Sequence, residues 1–253
     1  MRRQFLRRLA CAAVECAFPP ACISCFRPLV PAADPRIAEE TLCQECRLLL
    51  EPLPAGRCCK RCGAPLLNPD AATMAGCADC ERLPKTFRSA RSAFPYLSPA
   101  GNIIRNMKYR ASPYLAPWLI DLSLPVLKDW FAQVPADAMV VPIPMYPWRQ
   151  FRRGYNQAEE LAHALGHRLG RKVLPEGVFL RARGTAPQAR FSSGEERNRN
   201  LEDCFEVKRP EHIEGKKFLL IDDVMTTGAT AAHAAAELLE AGAEEVYVCT
   251  PVR

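Results

Sequence analysis

Apolar residues in this chain fall into short continuous runs, separated by longer stretches with helical spacing. The clearest run, Phe218-Leu219-Leu220-Ile221, follows Lys217 and stops at two adjacent acids, Asp222 and Asp223. A run this short without alternation suits a strand buried on both faces, as in a parallel sheet under helices. A turn of small and hydroxyl residues follows, Val224-Met225-Thr226-Thr227-Gly228-Ala229-Thr230, and then an alanine- and leucine-rich segment, 231–241, that reads as a helix. The same reading gives one or two strands within 87–96, helices at 101–109 and 114–131 with a break near Pro125, and a strand at 139–144 whose prolines fix its closing turn. Asn156, with Glu159 three residues on, reads as the cap of a helix that runs through Leu161, Leu165 and Leu169 to Gly170. Further strands are expected at 204–207 and 245–250. Strands alternating with helices give an α/β domain with a mainly parallel sheet flanked by helices. Two connections are basic: a loop with Arg149, Arg152 and Arg153, and an insertion at 180–201 with Arg181, Arg183, Arg190, Arg197 and Arg199. An insertion of that length usually serves a function such as closing over a ligand.

The order strand, loop, helix puts residues 222–230 at the carboxyl end of a strand and at a helix N-terminus, where backbone N–H groups and the helix dipole favour an anion. Two carboxylates beside a bare phosphate would repel it. They suit a ligand that also offers hydroxyls or brings a divalent cation such as Mg2+. A sugar phosphate meets both conditions. His163 and His167, four apart on the 156–170 helix, have metal-pair spacing but no intervening Glu, and read as a solvated face.

Composition adds a second region. Of the 13 cysteines in 253 residues, eleven lie at or before Cys80. Four Cys-x2-Cys pairs occur in order: Cys22/Cys25, Cys43/Cys46, Cys59/Cys62 and Cys77/Cys80. Two such turns supply the four sulfurs of a tetrahedral zinc site, so the eight residues suit two structural zinc ions. The pairing is either sequential or interleaved, and Cys58 beside Cys59 allows a one-residue slip. Gly63 suits the turn after Cys62 because it accepts positive φ. The chain therefore divides into an N-terminal amphipathic helix at 1–20 with an arginine face, a double zinc-ribbon module at 21–85 and an α/β domain at 86–253. Cys11 and Cys16 fall on the first helix as packing residues. No segment has the roughly 18 consecutive apolar residues of a membrane span, and a cytoplasmic location is expected. The net charge of +6 permits contact with phosphates or nucleic acid without requiring it.

At 220–230 the sequence resembles the motif by which type I phosphoribosyltransferases bind 5-phosphoribosyl 1-diphosphate (PRPP). The resemblance implies that Asp222 and Asp223 meet the ribose hydroxyls. It also implies that Thr226, Thr227, Gly228, Ala229 and Thr230 hold the 5-phosphate, with Mg2+ bridging ribose and pyrophosphate. Over nearly its full length the chain resembles the ComF/GntX family. That likeness is carried by the cysteine-rich N-terminus, Val141-Pro142-Ile143-Pro144, Arg153-Gly154-Tyr155-Asn156-Gln157-Ala158-Glu159, Gln188, Arg197 with Asn200, and the 220–230 motif. By analogy, Pro144 and Met145 face the pyrophosphate, Arg153 and Arg197 contact it or the hood, and 185–200 lies on or near that hood. The family's link to natural transformation and use of external DNA implies contact with single-stranded DNA or DNA-uptake proteins. Two functions follow: an Mg2+-dependent phosphoribosyltransferase, or a non-catalytic accessory protein that senses PRPP or a nucleotide and binds single-stranded DNA or a protein partner through the zinc module. Thr226 stands where some purine-base transferases carry a carboxylate, so no catalytic acid or base is assigned in the loop.

Overall fold

The computed structural model describes residues 20–29, 41–66, 68, 76–182 and 204–253. The expected N-terminal helix with Cys11 and Cys16, and the insertion residues Arg183, Gln188, Arg190, Arg197, Arg199 and Asn200, lie outside the described residues. In chain order the elements are α1 (Gln44–Leu48), α2 (Ala78–Glu81), β1 (Ala90–Phe94), α3 (Pro99–Tyr109), α4 (Ala116–Phe131), β2 (Met139–Pro142), α5 (Pro147–Arg153) and α6 (Gln157–Leu169), then β3 (Phe179–Arg181), β4 (Phe205–Val207), β5 (Lys217–Ile221), α7 (Ala229–Glu240) and β6 (Glu245–Val252).

Four strands form one sheet in the order β1-β6-β5-β2, all parallel. The central run behaves as a strand covered on both faces: Phe218, Leu219, Leu220 and Ile221 are fully buried. Phe218 and Leu220 join the cluster containing Ala232, Ala235 and Leu238 of α7. Leu219 and Ile221 join Ile103 and Met107 of α3, Leu119 of α4, and Leu161 and Leu165 of α6 on the opposite face. Helices on both faces of a parallel sheet are the arrangement that near-continuous apolar strands require. The small strands β3 and β4 pair antiparallel and flank the insertion, with Phe179 stacked on Phe205 at 5.5 Å. The Val207 amide donates to Glu237 of α7 at 2.9 Å, which ties this pair to the main body.

The one or two strands expected within 87–96 are a single strand, β1, which lies parallel to β6 at the sheet edge. Two other local expectations are revised. Helix α4 continues through Pro125. Proline removes one i→i−4 bond, but Leu119, Ile120, Leu127 and Trp130 are buried on both sides of it, and Trp130 Nε1 donates to Ser89 at 2.9 Å. Packing there outweighs the lost bond. The basic loop around Arg149 is instead helix α5, with Pro147 in its first turn and Gly154 as a left-handed stop at φ 88. That placing of Pro and Gly is the usual asymmetry of helix ends. No described helix is long and apolar enough to cross a membrane.

Candidate functional site

Strand β5 delivers the two acids to the carboxyl edge of the sheet. The Asp222 amide donates to Cys249 O at 3.2 Å, so the acid is still anchored to β6, and the Asp223 amide donates back to Asp222 Oδ1 at 2.8 Å. The chain returns to β6 where Met225 N donates to Val252 O at 3.0 Å. Gly228, at φ 88, then turns the chain into α7. A Cβ there would lie 2.7 Å from Met225 Cε, so both backbone conformation and space favour glycine. The Ala229 amide approaches Thr227 Oγ1 at 3.4 Å. The loop thus stands at a helix N-terminus, whose first amides lack intrahelical acceptors.

In front of this loop lies a cleft of about 560 Å³. Of the residues singled out from sequence, Pro144, Met145, Arg153, Asp222, Asp223, Thr226, Gly228, Ala229 and Thr230 all line it. Thr227 lies in the same loop but is not among the lining residues, and Arg197 is outside the described residues. The wall opposite the loop is set by Asn156. Its Oδ1 caps α6 by accepting from Ala158 N at 3.1 Å, and its Nδ2 donates to Ile143 O at 3.2 Å. One side chain therefore fixes the start of α6 against the end of β2, and Arg153 donates across this junction to Gln157 at 2.6 Å.

Tyr96, Lys108, Tyr109, Arg149 and Gln157 also line the cleft, and sequence reasoning had not assigned them to it. Lys108 matters most. Its Nζ lies 2.8 Å from Asp223 Oδ2, with both side chains mostly buried. Burial works most strongly against the Lys108 charge, yet the charge and hydrogen bond of Asp223, with the charge of Asp222, together raise its pKa. Asp222 is pushed up to about 7, first by burial and then by the neighbouring Asp223 carboxylate, against the pull of Lys108 and Arg181. A lone lysine near the end of an amphipathic helix gives no sequence signal for this role.

The cysteines gather sequentially, which settles the pairing: Cys22, Cys25, Cys43 and Cys46 in one group, Cys59, Cys62, Cys77 and Cys80 in the other, with sulfurs within 4.8 Å of one another. Sulfur separations are 3.7 Å for Cys25–Cys43, 3.8 Å for Cys59–Cys80 and 3.6 Å for Cys62–Cys77. A disulfide needs about 2.05 Å, whereas a tetrahedron with Zn–S of about 2.3 Å has edges of about 3.8 Å. The donor set and geometry fit zinc, and each group could hold one ion. Cys58 stands apart, its thiol donating to Pro54 O at 3.1 Å. The two groups repeat one local design. Phe26 and Gly63, each just after a Cys-x2-Cys, have φ of 60 and 71, and their amides donate to Cys22 O and Cys59 O. Burial opposes the thiolates of Cys22 and Cys59, but surrounding backbone N–H groups prevail and hold each at about 7.

Comparison with known proteins fits this architecture. Residues 152–253 match the phosphoribosyl transferase domain family. With the parallel sheet and its strand-end cleft, this defines the second part of the chain as a phosphoribosyl transferase-type domain. The chain is 31% identical over 194 residues to the DNA utilization protein YhgH of Escherichia coli K12, covering 75% of this chain and 81% of that protein. It is 30% identical over 212 residues to competence protein ComFC of Bacillus subtilis, covering 81% and 80%. It is 27% identical over 215 residues to competence protein F of Haemophilus influenzae, covering 84% and 90%. The chain belongs to the ComF family.

Proposed function

We propose that this chain is a PRPP-binding protein acting in DNA uptake or use of external DNA in the cytoplasm. Two structural zinc ions would hold its cysteine groups in a scaffold over 21–85, and the ligand-binding domain would span 86–253. The observation that carries the reading is the loop from Asp222 to Thr230. It places two acids and a helix N-terminus on one edge of a cleft whose other walls carry Arg149, Arg153 and Arg181. Asp222 and Asp223 would accept from the ribose hydroxyls, the 226–230 segment would hold the 5-phosphate, and the arginines would meet the pyrophosphate. The acidic pair also suits Mg2+, which when bound would neutralise charge between ribose and pyrophosphate.

Titration calorimetry with PRPP and Mg2+ tests this. Asp222→Asn with Asp223→Asn should weaken binding by at least about a hundredfold while leaving the fold intact by circular dichroism. Unchanged affinity would remove the site assignment. Assaying the same mixtures for pyrophosphate, with a panel of bases, separates turnover from binding.

Support for the DNA role comes from the names of the relatives, a DNA utilization protein and a competence protein, and from one exposed surface. On α5, Trp148 and Phe151 stack at 5.9 Å and are 61% and 80% exposed, with Arg152 beside them. Exposed rings interleaved with arginine suit stacking on unpaired bases. Trp148→Ala with Phe151→Ala should weaken a single-stranded oligonucleotide at low salt by about tenfold or more, and wild-type affinity should fall steeply as salt rises. A salt-independent affinity, or one the double substitution leaves alone, would count against that surface.

A further inference from the structure

Charged side chains lining the cleft are unequal in sign. Lys108, Arg149, Arg153 and Arg181 face two carboxylates, Asp222 and Asp223, so the described lining has more positive than negative groups before any metal is added. The arginines stand on or beside the opposite walls, whereas Lys108 reaches the acids themselves and pairs with Asp223 Oδ2 at 2.8 Å. With side-chain exposures of 21% and 12%, this is not a solvent-screened surface pair.

Its position is also closely fixed. Helix α3 approaches the end of β1 so tightly that a Cβ on Gly101 would lie 1.8 Å from Tyr96 O. Asn106 Nδ2 donates to Ser24 O at 2.9 Å and approaches Ile23 O at 3.3 Å, fastening the helix to the first cysteine turn. The Tyr155 hydroxyl donates to Met107 O, one residue before Lys108. Hydrogen bonds to two other parts of the chain therefore hold the turn that carries the ammonium. Such bracing is superfluous for a lysine that simply points to solvent.

We propose that Lys108 is the resident counter-cation of the Asp222–Asp223 pair, allowing the cleft to take a phosphorylated sugar without an obligatory divalent cation. The proposal rests on the sugar-phosphate reading of the same cleft. Two adjacent carboxylates would otherwise repel the phosphate groups of the ligand, and a divalent ion would be needed to cancel them. An ammonium fixed against one acid does part of that work permanently. Lys108 thus acts through Asp223 as a positioning and charge-balancing residue. Asp222, whose Oδ1 accepts from the Asp223 amide, keeps its other oxygen for a hydroxyl donor.

The test titrates PRPP, ribose 5-phosphate and inorganic pyrophosphate into the zinc-loaded protein. Buffers are either freed of Mg2+ on a chelating resin, with no soluble chelator that would strip the cysteine groups, or supplemented with Mg2+. Wild type should bind ribose 5-phosphate in both, with affinities within about tenfold of each other. Lys108→Gln should lose at least about tenfold without Mg2+ and regain most of it with Mg2+, and Lys108→Arg should stay near wild type in both. Lys108→Met, which keeps the length of the aliphatic stem and removes the charge, serves if the Gln variant does not fold, and should show the same Mg2+-free loss and the same recovery with Mg2+. The role is overturned if wild type binds only with Mg2+, or if Lys108→Gln matches wild type in both buffers. A loss that Mg2+ does not restore would also overturn it, since Lys108 would then act on the ligand directly. Failure of wild type to bind any probe in either buffer would sink the sugar-phosphate reading as well.

Discussion

Asp222 and Asp223 are neighbours in sequence but not in circumstance. Asp223 has Lys108 at 2.8 Å, whereas burial and the adjacent carboxylate raise Asp222 to about 7. The free side chain ionises near 3.9, so the folded protein binds the extra proton between the two values. The Asp222 contribution to stability is therefore complete below the lower value and lost as pH rises through about 7. Wild type should lose melting temperature relative to Asp222→Asn between about pH 4 and about pH 7, and PRPP affinity should rise from about pH 6 to about pH 8 as the acceptor carboxylate forms in the folded protein. A constant difference between the two proteins across that range would contradict the assignment. The acids were legible in sequence because an apolar run stopping at Asp-Asp before a hydroxyl-rich turn has few other uses. Lys108 was not legible, since only the fold brings the end of α3 to the end of β5.

At the scale of elements, hydrophobic pattern located the strands and most helices but not the forces at their ends. The run 218–221 announced a doubly covered strand. Pro125 suggested a break that packing of Leu127 and Trp130 prevents, and the arginines of 149–153 masked a short helix that Pro147 and Gly154 delimit. Gly101 gives a test of how far tertiary contact overrides local preference. Glycine to alanine inside a helix ordinarily stabilises by about 0.5–1 kcal/mol. Here the added Cβ would meet Tyr96 O at 1.8 Å. Gly101→Ala should therefore destabilise the protein by more than about 1 kcal/mol in denaturant unfolding, because the added Cβ meets a backbone carbonyl that cannot yield cheaply. It should also weaken PRPP binding by shifting Lys108. A gain in stability would show that α3 can relax away from β1.

Over the whole molecule, the cysteine groups are built into opposite faces of the sheet. Cys22 and Cys46 share a cluster with Ile103, Met107 and Ile104, while Cys59, Cys62, Cys77 and Cys80 share one with Phe87, Phe218 and Ala232. Arg253 donates to Cys62 O at 2.8 Å, Arg91 donates to Lys60 O at 2.9 Å, and Thr86 donates to Ala232 O on α7 at 2.7 Å. Spacing alone pointed to the eight cysteines; it could not reveal that their groups pack against α3 on one face and against α7 on the other. Elemental analysis should find two zinc ions per chain. Stripping them should lower the melting temperature by more than about 10 °C and broaden unfolding across the entire chain, since structural zinc contributes folding energy directly. A stripped protein with unchanged melting would mean that packing alone maintains these turns.

The account depends on what occupies the cleft before Asp222 and Asp223. The most direct measurement is a crystal structure of the protein with PRPP and Mg2+. The expected result places the 5-phosphate within hydrogen-bond distance of the amides at 226–230, the ribose hydroxyls on Asp222 and Asp223, and the pyrophosphate toward Arg149, Arg153 and Arg181. PRPP bound with its ribose away from the acidic pair, or outside this cleft, would contradict it.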